Sequence, residues 1–423
     1  MIPLYINSLL LLIFLIYLFY TKRSWIPKIL VSIWLISFIC ACIYAQFGLF
    51  GKVEISYESF IYLDICILIY LYPLIVNKID MHCDIPEHTI RLCERLLFWL
   101  GILFTLPFIE HVIHFITTFS APSDSIVDVY VDKMDIDNKK EIVTWLDPFS
   151  LQIMKSFGRF NRISLLLLFL IFSKRKKIQY KKYFFYIVAV FTPVLGDINA
   201  SGRGSFAFFI LSVIILYFFF NNNLTIKIPK TLLIAVSLII GISIIGILAI
   251  TTMRADAYEA DAWIWTSLYF GEGPVRFGDQ MWNIKCSTLG DNSFSYFTSL
   301  LGFDAVTNVL QRREVWNEVI TGVDPVRFYT FIGDWFSDLG IYCTLPFIAL
   351  LSYYINKYLK RKKYGLIGVF LVYIYIYIFA TGYTYYCFKA AYGQYTVVFS
   401  VIVLYIITKI KVANHRKTNT YQS

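Results

Sequence analysis

Residues 253–332 read MRADAYEADAWIWTSLYFGEGPVRFGDQMWNIKCSTLGDNSFSYFTSLLGFDAVTNVLQRREVWNEVITGVDPVRFYTFI, and this stretch decides how the rest of the chain is organised. It holds no apolar run near the ~20 residues that a bilayer-crossing helix needs, yet long hydrophobic segments lie on both sides of it. It carries Arg254, Arg276, Arg312, Arg313 and Arg327 but a single lysine, Lys285, together with Trp263, Trp265, Trp282 and Trp316. An arginine fork binds phosphate in a bidentate way that a lysine point charge cannot, and tryptophan faces suit sugar rings. A soluble cap that merely joins two helices is the plain alternative. Long connections without a task are uncommon, which favours a functional loop.

Outward from this stretch the chain is built for a membrane. Hydrophobic residues make up 58% of it and mean hydropathy is +0.64, whereas a soluble domain is nearer ~45–50% apolar. Met1 to Tyr20 enters apolar sequence with no basic start, which predicts an anchored first helix and no cleaved signal peptide. The net charge of +10 does not call for nucleic acid, because the excess Lys and Arg sit mostly in short loops. The eight cysteines are scattered and form neither a disulfide framework nor a paired zinc motif.

Hydropathy predicts an all-α polytopic protein with about eleven spans: Leu4–Tyr20, Ile29–Phe50, Ser59–Val76, Leu96–Phe119, Ser150–Ser173, Tyr183–Val194, Ser205–Phe220, Thr231–Thr252, Gly333–Asn356, Leu366–Tyr383 and Tyr395–Ile410. The chain then divides into membrane helices over residues 1–252, an external loop domain over 253–332, and the last three helices with a tail over 333–423. Basic clusters fall at Lys22–Lys28, Lys174–Lys182, Lys227–Lys230, Lys357–Lys363 and Lys409–Lys417. All lie on one side if the spans alternate, and the positive-inside rule makes that side cytoplasmic. The N-terminus and the long loop are then outside. The loop is mildly acidic overall, so its arginines do not serve topology and need another purpose.

Four clusters carry candidate chemistry. Gly196-Asp197-Ile198-Asn199-Ala200-Ser201-Gly202-Arg203-Gly204-Ser205 places Arg203 in a small-residue turn that opens a helix. Free N–H groups at a helix start attract anions, so this reads as a phosphate cradle or, more plainly, a tight turn with a snorkelling arginine. Asp334 and Asp338 share one face of the helix that follows the loop. They are ordinary dipole partners, or else one is a general base or orients one. Gly271-Glu272-Gly273-Pro274-Val275-Arg276 reads as a turn, with Glu272 beside Arg276 as a salt bridge or an acceptor-activating carboxylate. Glu110-His111-Val112-Ile113-His114 lies in a span, but its order and spacing differ from a zincin box. His111 is a polar contact or an active-site wall. Asp135-Ile136-Asp137 is a weak metal signal in an acidic run, and no metal site is assigned.

Together these features resemble the Wzy-type polymerases that join oligosaccharide repeat units into bacterial O-antigen and capsule. The resemblance covers most of the chain in architecture. It is strongest at Ser201-Gly202-Arg203-Gly204, which looks like the family's SxRG turn, and at Tyr329–Gly340, which looks like its DxG helix start. It implies a GT-C-like, inverting, metal-independent glycosyltransferase without cofactor, in the bacterial cytoplasmic membrane with its site facing outward. Donor and acceptor are polyprenyl-diphosphate-linked glycans, with a chain-length regulator and a flippase as candidate protein partners. On this reading Arg203, Arg276, Arg327, Arg254 and Arg312 bind diphosphate. Asp334, Asp338 and Glu272 are the catalytic carboxylates, with Asp197 and His111 as further candidates for the base. Trp282, Trp316 and Trp335 contact sugar. A leaving diphosphate needs cations where charge develops, and the acceptor hydroxyl needs a base. A glycan ligase uses the same donor and stays open. A transporter of lipid-linked sugars is disfavoured, since no internal repeat is visible.

Overall fold

The computed structural model describes residues 2–47, 53–77, 85–119, 146–175, 180–199, 203–220, 261–302, 321–323, 327–361, 364–389 and 391–420. Among these the structure is helical, with one isolated bridge between Thr330 and Tyr385 and no strand. The helices are α1 (Ile2–Tyr20), α2 (Trp25–Phe47), α3 (Tyr57–Val76), α4 (Glu87–Leu103), α5 (Thr105–Phe119), α6 (Pro148–Phe157), α7 (Asn161–Lys174), α8 (Tyr180–Asn199), α9 (Arg203–Phe220), α10 (Ala262–Asp279), α11 (Ser295–Leu300), α12 (Thr330–Leu359), α13 (Leu366–Thr381) and α14 (Ala391–Thr420).

Helices α1, α2, α3 and α12 are each long and apolar enough to cross a membrane. The pairs α4–α5, bent by 52°, and α6–α7, bent by 70°, qualify when each pair is one span. The chain is therefore a helical membrane protein. Every expected span but one coincides with a helix or a bent pair; Thr231–Thr252 lies outside the described residues. Apolar stretches in α9, α13 and α14 are shorter, so length and apolarity alone do not reach the expected total of about eleven crossings.

Packing groups the chain into two units. The first comprises Met1–Asp80, Trp263–Lys363 and Leu371–Phe399. Its centre is aromatic. Tyr70 and Tyr375 stack with ring centroids 4.0 Å apart, and each hydroxyl donates to the other's carbonyl, at 2.9 and 2.6 Å. Trp34 donates from Nε1 to the Phe379 carbonyl at 3.0 Å while its ring meets Phe331 and Phe379. A buried indole or phenol must spend its polar end in this way, or pay the full cost of desolvating it.

Three helices of this unit, α3, α10 and α12, carry a proline in their interior, which cannot donate to the carbonyl four residues back; in α3 and α10 a serine supplies the missing donor. In α3, Pro73 leaves the Ile69 carbonyl without its helical donor, and Ser352 Oγ supplies one at 2.7 Å. In α10, Pro274 does the same to Phe270, and Ser37 Oγ donates at 2.7 Å. This second repair corrects the expectation of a turn at Gly271-Glu272-Gly273-Pro274, which is helix interior. The glycines are there for proximity. A Cβ on Gly271 would lie 2.4 Å from the Ala41 nitrogen, and one on Gly273 2.1 Å from the Tyr383 carbonyl oxygen.

Helix α12 breaks at Gly340, whose φ of 67° and ψ of −180° fall in a region open essentially to glycine alone. Its first residue, Thr330, is held at φ 69° by N–H donation to the Thr384 carbonyl, and its hydroxyl accepts the Gly333 N–H, satisfying one of the helix's early donors.

The second unit comprises Met81–Ala262, Tyr364–Phe370 and Ser400–Ser423. Helices α4 and α8 meet closely at Gly101, where a Cβ would lie 2.0 Å from the Phe185 carbonyl oxygen. Phe104, Ile153 and Val188 form a small core beside them. Arg175 binds Glu87 and Glu94, each at 2.5 Å.

Candidate functional site

Helix α10 sets Glu272 and Arg276 one turn apart on one face, and Gln280, just past its end, follows a turn later with its N–H on the Arg276 carbonyl. Arg276 Nε donates to Glu272 Oε1 at 2.5 Å and its Nη1 to Gln280 Oε1 at 3.1 Å; the same Gln280 oxygen accepts from the Tyr329 hydroxyl at 3.2 Å. Burial opposes the Arg276 charge, but Glu272, with the Tyr44 and Tyr329 oxygens, more than offsets it and holds the guanidinium pKa above its ordinary value. Arg276 is thus a cation fixed in place with its fork oriented.

Arg276 opens onto a cavity of about 430 Å³ that is also lined by Asp279, Gln280, Asn283, Lys285, Thr321, Gly322, Val323 and Arg327. The size is that of a small-ligand site, ~300–1,000 Å³. The structure brings together two of the arginines expected to bind diphosphate, Arg276 and Arg327, and adds Lys285. Lys285 N–H donates to the Thr321 carbonyl at 3.1 Å, and the Thr321 hydroxyl accepts from Val323 N–H at 3.0 Å. Gly322, at φ 72°, leaves room for the lysine stem, which a Cβ would meet at 3.3 Å. The turn at residues 321–323 therefore places the ammonium. Asp279 is the carboxylate of the lining, and its Oδ1 accepts the Glu54 N–H at 2.9 Å. With Glu272 counted behind Arg276, three cations stand against two carboxylates among the described residues, which leaves the hollow net positive and suited to an anion.

Asp334 and Asp338 lie elsewhere in the same unit and are only 1% exposed. Asp338 accepts from the Thr288 hydroxyl, from Asn292 N–H at 2.9 Å and from Ser293 N–H at 2.6 Å. Asp334 accepts from Tyr386 N–H at 2.6 Å and Asn292 Nδ2 at 3.2 Å, and pairs with Lys389 at 3.6 Å. Gln394 completes the network by donating to the Ser293 carbonyl at 2.7 Å. Both carboxylates are committed to backbone amides, so their geometry suits positioning: they pin Thr288, Asn292, Ser293, Tyr386 and Lys389 to α12. Neither is exposed to an acceptor hydroxyl. Glu272 is likewise closed off by Arg276.

The expected sugar contacts divide. Trp335 is 2% exposed and enclosed by Phe331, Phe347 and Tyr386, so it belongs to the core and not to a sugar platform. Trp282 stacks on Phe336 at 5.6 Å and stays half-buried. Trp316, Arg254, Arg312, Arg313 and Asp135-Ile136-Asp137 lie outside the described residues, as do the side chains of Arg203 and Asp197. Arg203 is the first residue of α9, in the second unit.

In that unit His111 is buried beside Asn199, which donates to the His111 carbonyl at 2.8 Å. Glu110 accepts from Ser150 Oγ at 2.9 Å and Asp147 N–H at 3.3 Å. These two residues brace helices. Among the described residues no group of three His, Cys, Asp or Glu side chains is arranged to hold a metal ion.

Sequence reasoning missed Lys285 and Asp279. Nothing in their spacing marks them; they matter because Thr321, Gly322, Val323 and Arg327 line the same cavity as the end of α10. Comparison with family models, with curated proteins and with solved structures gives no match.

Proposed function

We propose that this chain is a membrane glycosyltransferase that polymerises polyprenyl-diphosphate-linked oligosaccharide repeat units at the outer face of the cytoplasmic membrane. The observation that carries the reading is the convergence of Arg276, Lys285 and Arg327 on one cavity, beside the Tyr329–Gly340 segment on which the resemblance rests. A lipid-linked diphosphate is a polyanion that must be met next to a membrane. A fixed cation cluster stabilises the charge that develops as it leaves.

In this reading the donor diphosphate sits against Arg276, Lys285 and Arg327. The acceptor hydroxyl oxygen bonds to the anomeric carbon of the donor, whose bond to the diphosphate oxygen breaks. The polyprenyl diphosphate departs with the electron pair, and the hydroxyl proton passes to Asp279. Glu272 orients Arg276. Asp334 and Asp338 hold the loop that carries Lys285.

The test is the surface glycan of cells that lack the chain. A single capped repeat unit, restored to polymer by the wild-type gene but not by Arg276→Ala at equal membrane abundance, is the expected result. Full-length polymer left on the lipid carrier would identify a ligase and overturn the polymerase reading.

A further inference from the structure

The long stretch between the spans contains a segment built for lipid. From Asn292 to Phe303 there is no charged residue, with Asp291 and Asp304 bounding the run. Within it the short helix α11 and its ends turn large apolar side chains outward: Phe297 is 46% exposed, Leu300 67% and Leu301 76%. Leu289, just before, is 84% exposed. Four such side chains within thirteen positions are not the scattered surface apolars that need no explanation.

Its neighbours set its depth. Phe294 packs edge-on against Phe347 of α12 at 5.6 Å, and Tyr296 against Tyr395 of α14 at 5.9 Å. The part of α12 beyond the Gly340 break runs from 341 to 359, about 28 Å at 1.5 Å per residue, close to the ~30 Å of a hydrocarbon core. Phe347 stands about 10 Å beyond the break on the same scale. On that part of α12, Tyr342, Leu350, Tyr353 and Tyr354 are all more than half exposed, the pattern of a side turned to lipid.

We infer that residues 289–301 form a foot that lies in the bilayer interface, with Leu289, Phe297, Leu300 and Leu301 among the lipid acyl chains. A short segment with apolar side chains on one side and anchored polar groups on the other is the pattern of an interfacial element. The anchors are Asp338 on Asn292 and Ser293, and Gln394, which donates to the Ser293 carbonyl and accepts the Tyr296 N–H at 3.0 Å. The foot fixes the depth of the loop that carries Lys285. The inference concerns position and does not rest on the reaction.

The test uses the full-length protein in phosphatidylcholine–phosphatidylglycerol vesicles with an environment-sensitive fluorophore on Leu300→Cys, and separately on Leu301→Cys. Both are made in a background with the exposed Cys286 and Cys343 changed to serine, and signal from that background alone is subtracted. A probe on Glu54→Cys, at an exposed backbone between α2 and α3, reports water. The foot predicts blue-shifted emission at both leucine positions. It also predicts quenching by spin-labelled lipid severalfold above that at Glu54 and weak quenching by iodide. Iodide quenching equal to that at Glu54 would overturn the inference. Shielding from both quenchers would also overturn it, since it would show a protein covering the face.

Discussion

Gly340 shows how much one residue decides. A Cβ there would meet nothing within 4 Å, so the requirement is purely conformational, set by φ 67°. Gly340→Ala should destabilise the protein by about 1–3 kcal/mol, the usual cost of forcing a side chain into such a region, and thermal unfolding in detergent measures it. The glycine of the Asp-x-Gly pattern thereby acquires a physical reason: it lets α12 bend two residues after the pinned Asp338. Ser37 makes the complementary point. Removing its hydroxyl by Ser37→Ala should cost about 1–3 kcal/mol, because the Phe270 carbonyl above Pro274 loses its donor. Ser37→Thr, which keeps the hydroxyl, should recover part of that stability. A Ser37→Ala variant as stable as wild type would mean that another donor satisfies this carbonyl. At the site, Arg276→Lys should rescue Arg276→Ala poorly, since a lysine cannot span Glu272, Gln280 and a phosphate at once. Each lost charge-assisted bond to the transition state should cost about 2–4 kcal/mol in kcat/KM.

At the scale of elements, the network around α12 joins the 288–293 turn to the helix through Asp338. Asp338→Asn keeps the shape but cannot accept from three donors as a carboxylate does. Polymer formation should fall while the variant stays in the membrane, and lipid-quenching of a probe at Leu300 should fall with it. A proton-transfer role for Asp338 would leave that quenching unchanged. For Asp279→Asn the expectation differs: activity reduced by about 10²–10⁴ with donor binding retained.

Part of this scale was legible in the sequence. The helices follow from long apolar runs, and the salt bridge of Glu272 and Arg276 is one of the two readings that the cluster offered, although it forms within a helix and not a turn. What was not legible depends on distant partners. The Gly271–Pro274 cluster carries the composition of a turn, and it is helical because Ser37, 233 positions away in the chain, repairs the proline's missing hydrogen bond. Trp335 offered the same aromatic face as any exposed tryptophan until Phe331, Phe347 and Tyr386 closed around it. Lys285 looked like an isolated lysine because the turn that aims it lies at residues 321–323.

At the scale of the whole molecule, the chain is a helical membrane protein whose described residues include a cationic hollow and a long, broken helix. The proposed orientation places the basic loops inside, so a cytoplasmic reporter fused after Lys363 should be active. The central claim is that the hollow of Arg276, Lys285 and Arg327 holds a lipid-linked diphosphate. Its most direct test is equilibrium binding of a short polyprenyl diphosphate to the purified protein in lipid nanodiscs, with the corresponding polyprenyl alcohol as control. The account predicts saturable binding of the diphosphate but not the alcohol, weakened about tenfold or more by Arg276→Ala, by Lys285→Ala and by Arg327→Ala, as expected for loss of a charged hydrogen bond worth ~1.5–3 kcal/mol. Equal binding of diphosphate by the wild type and all three variants would contradict it.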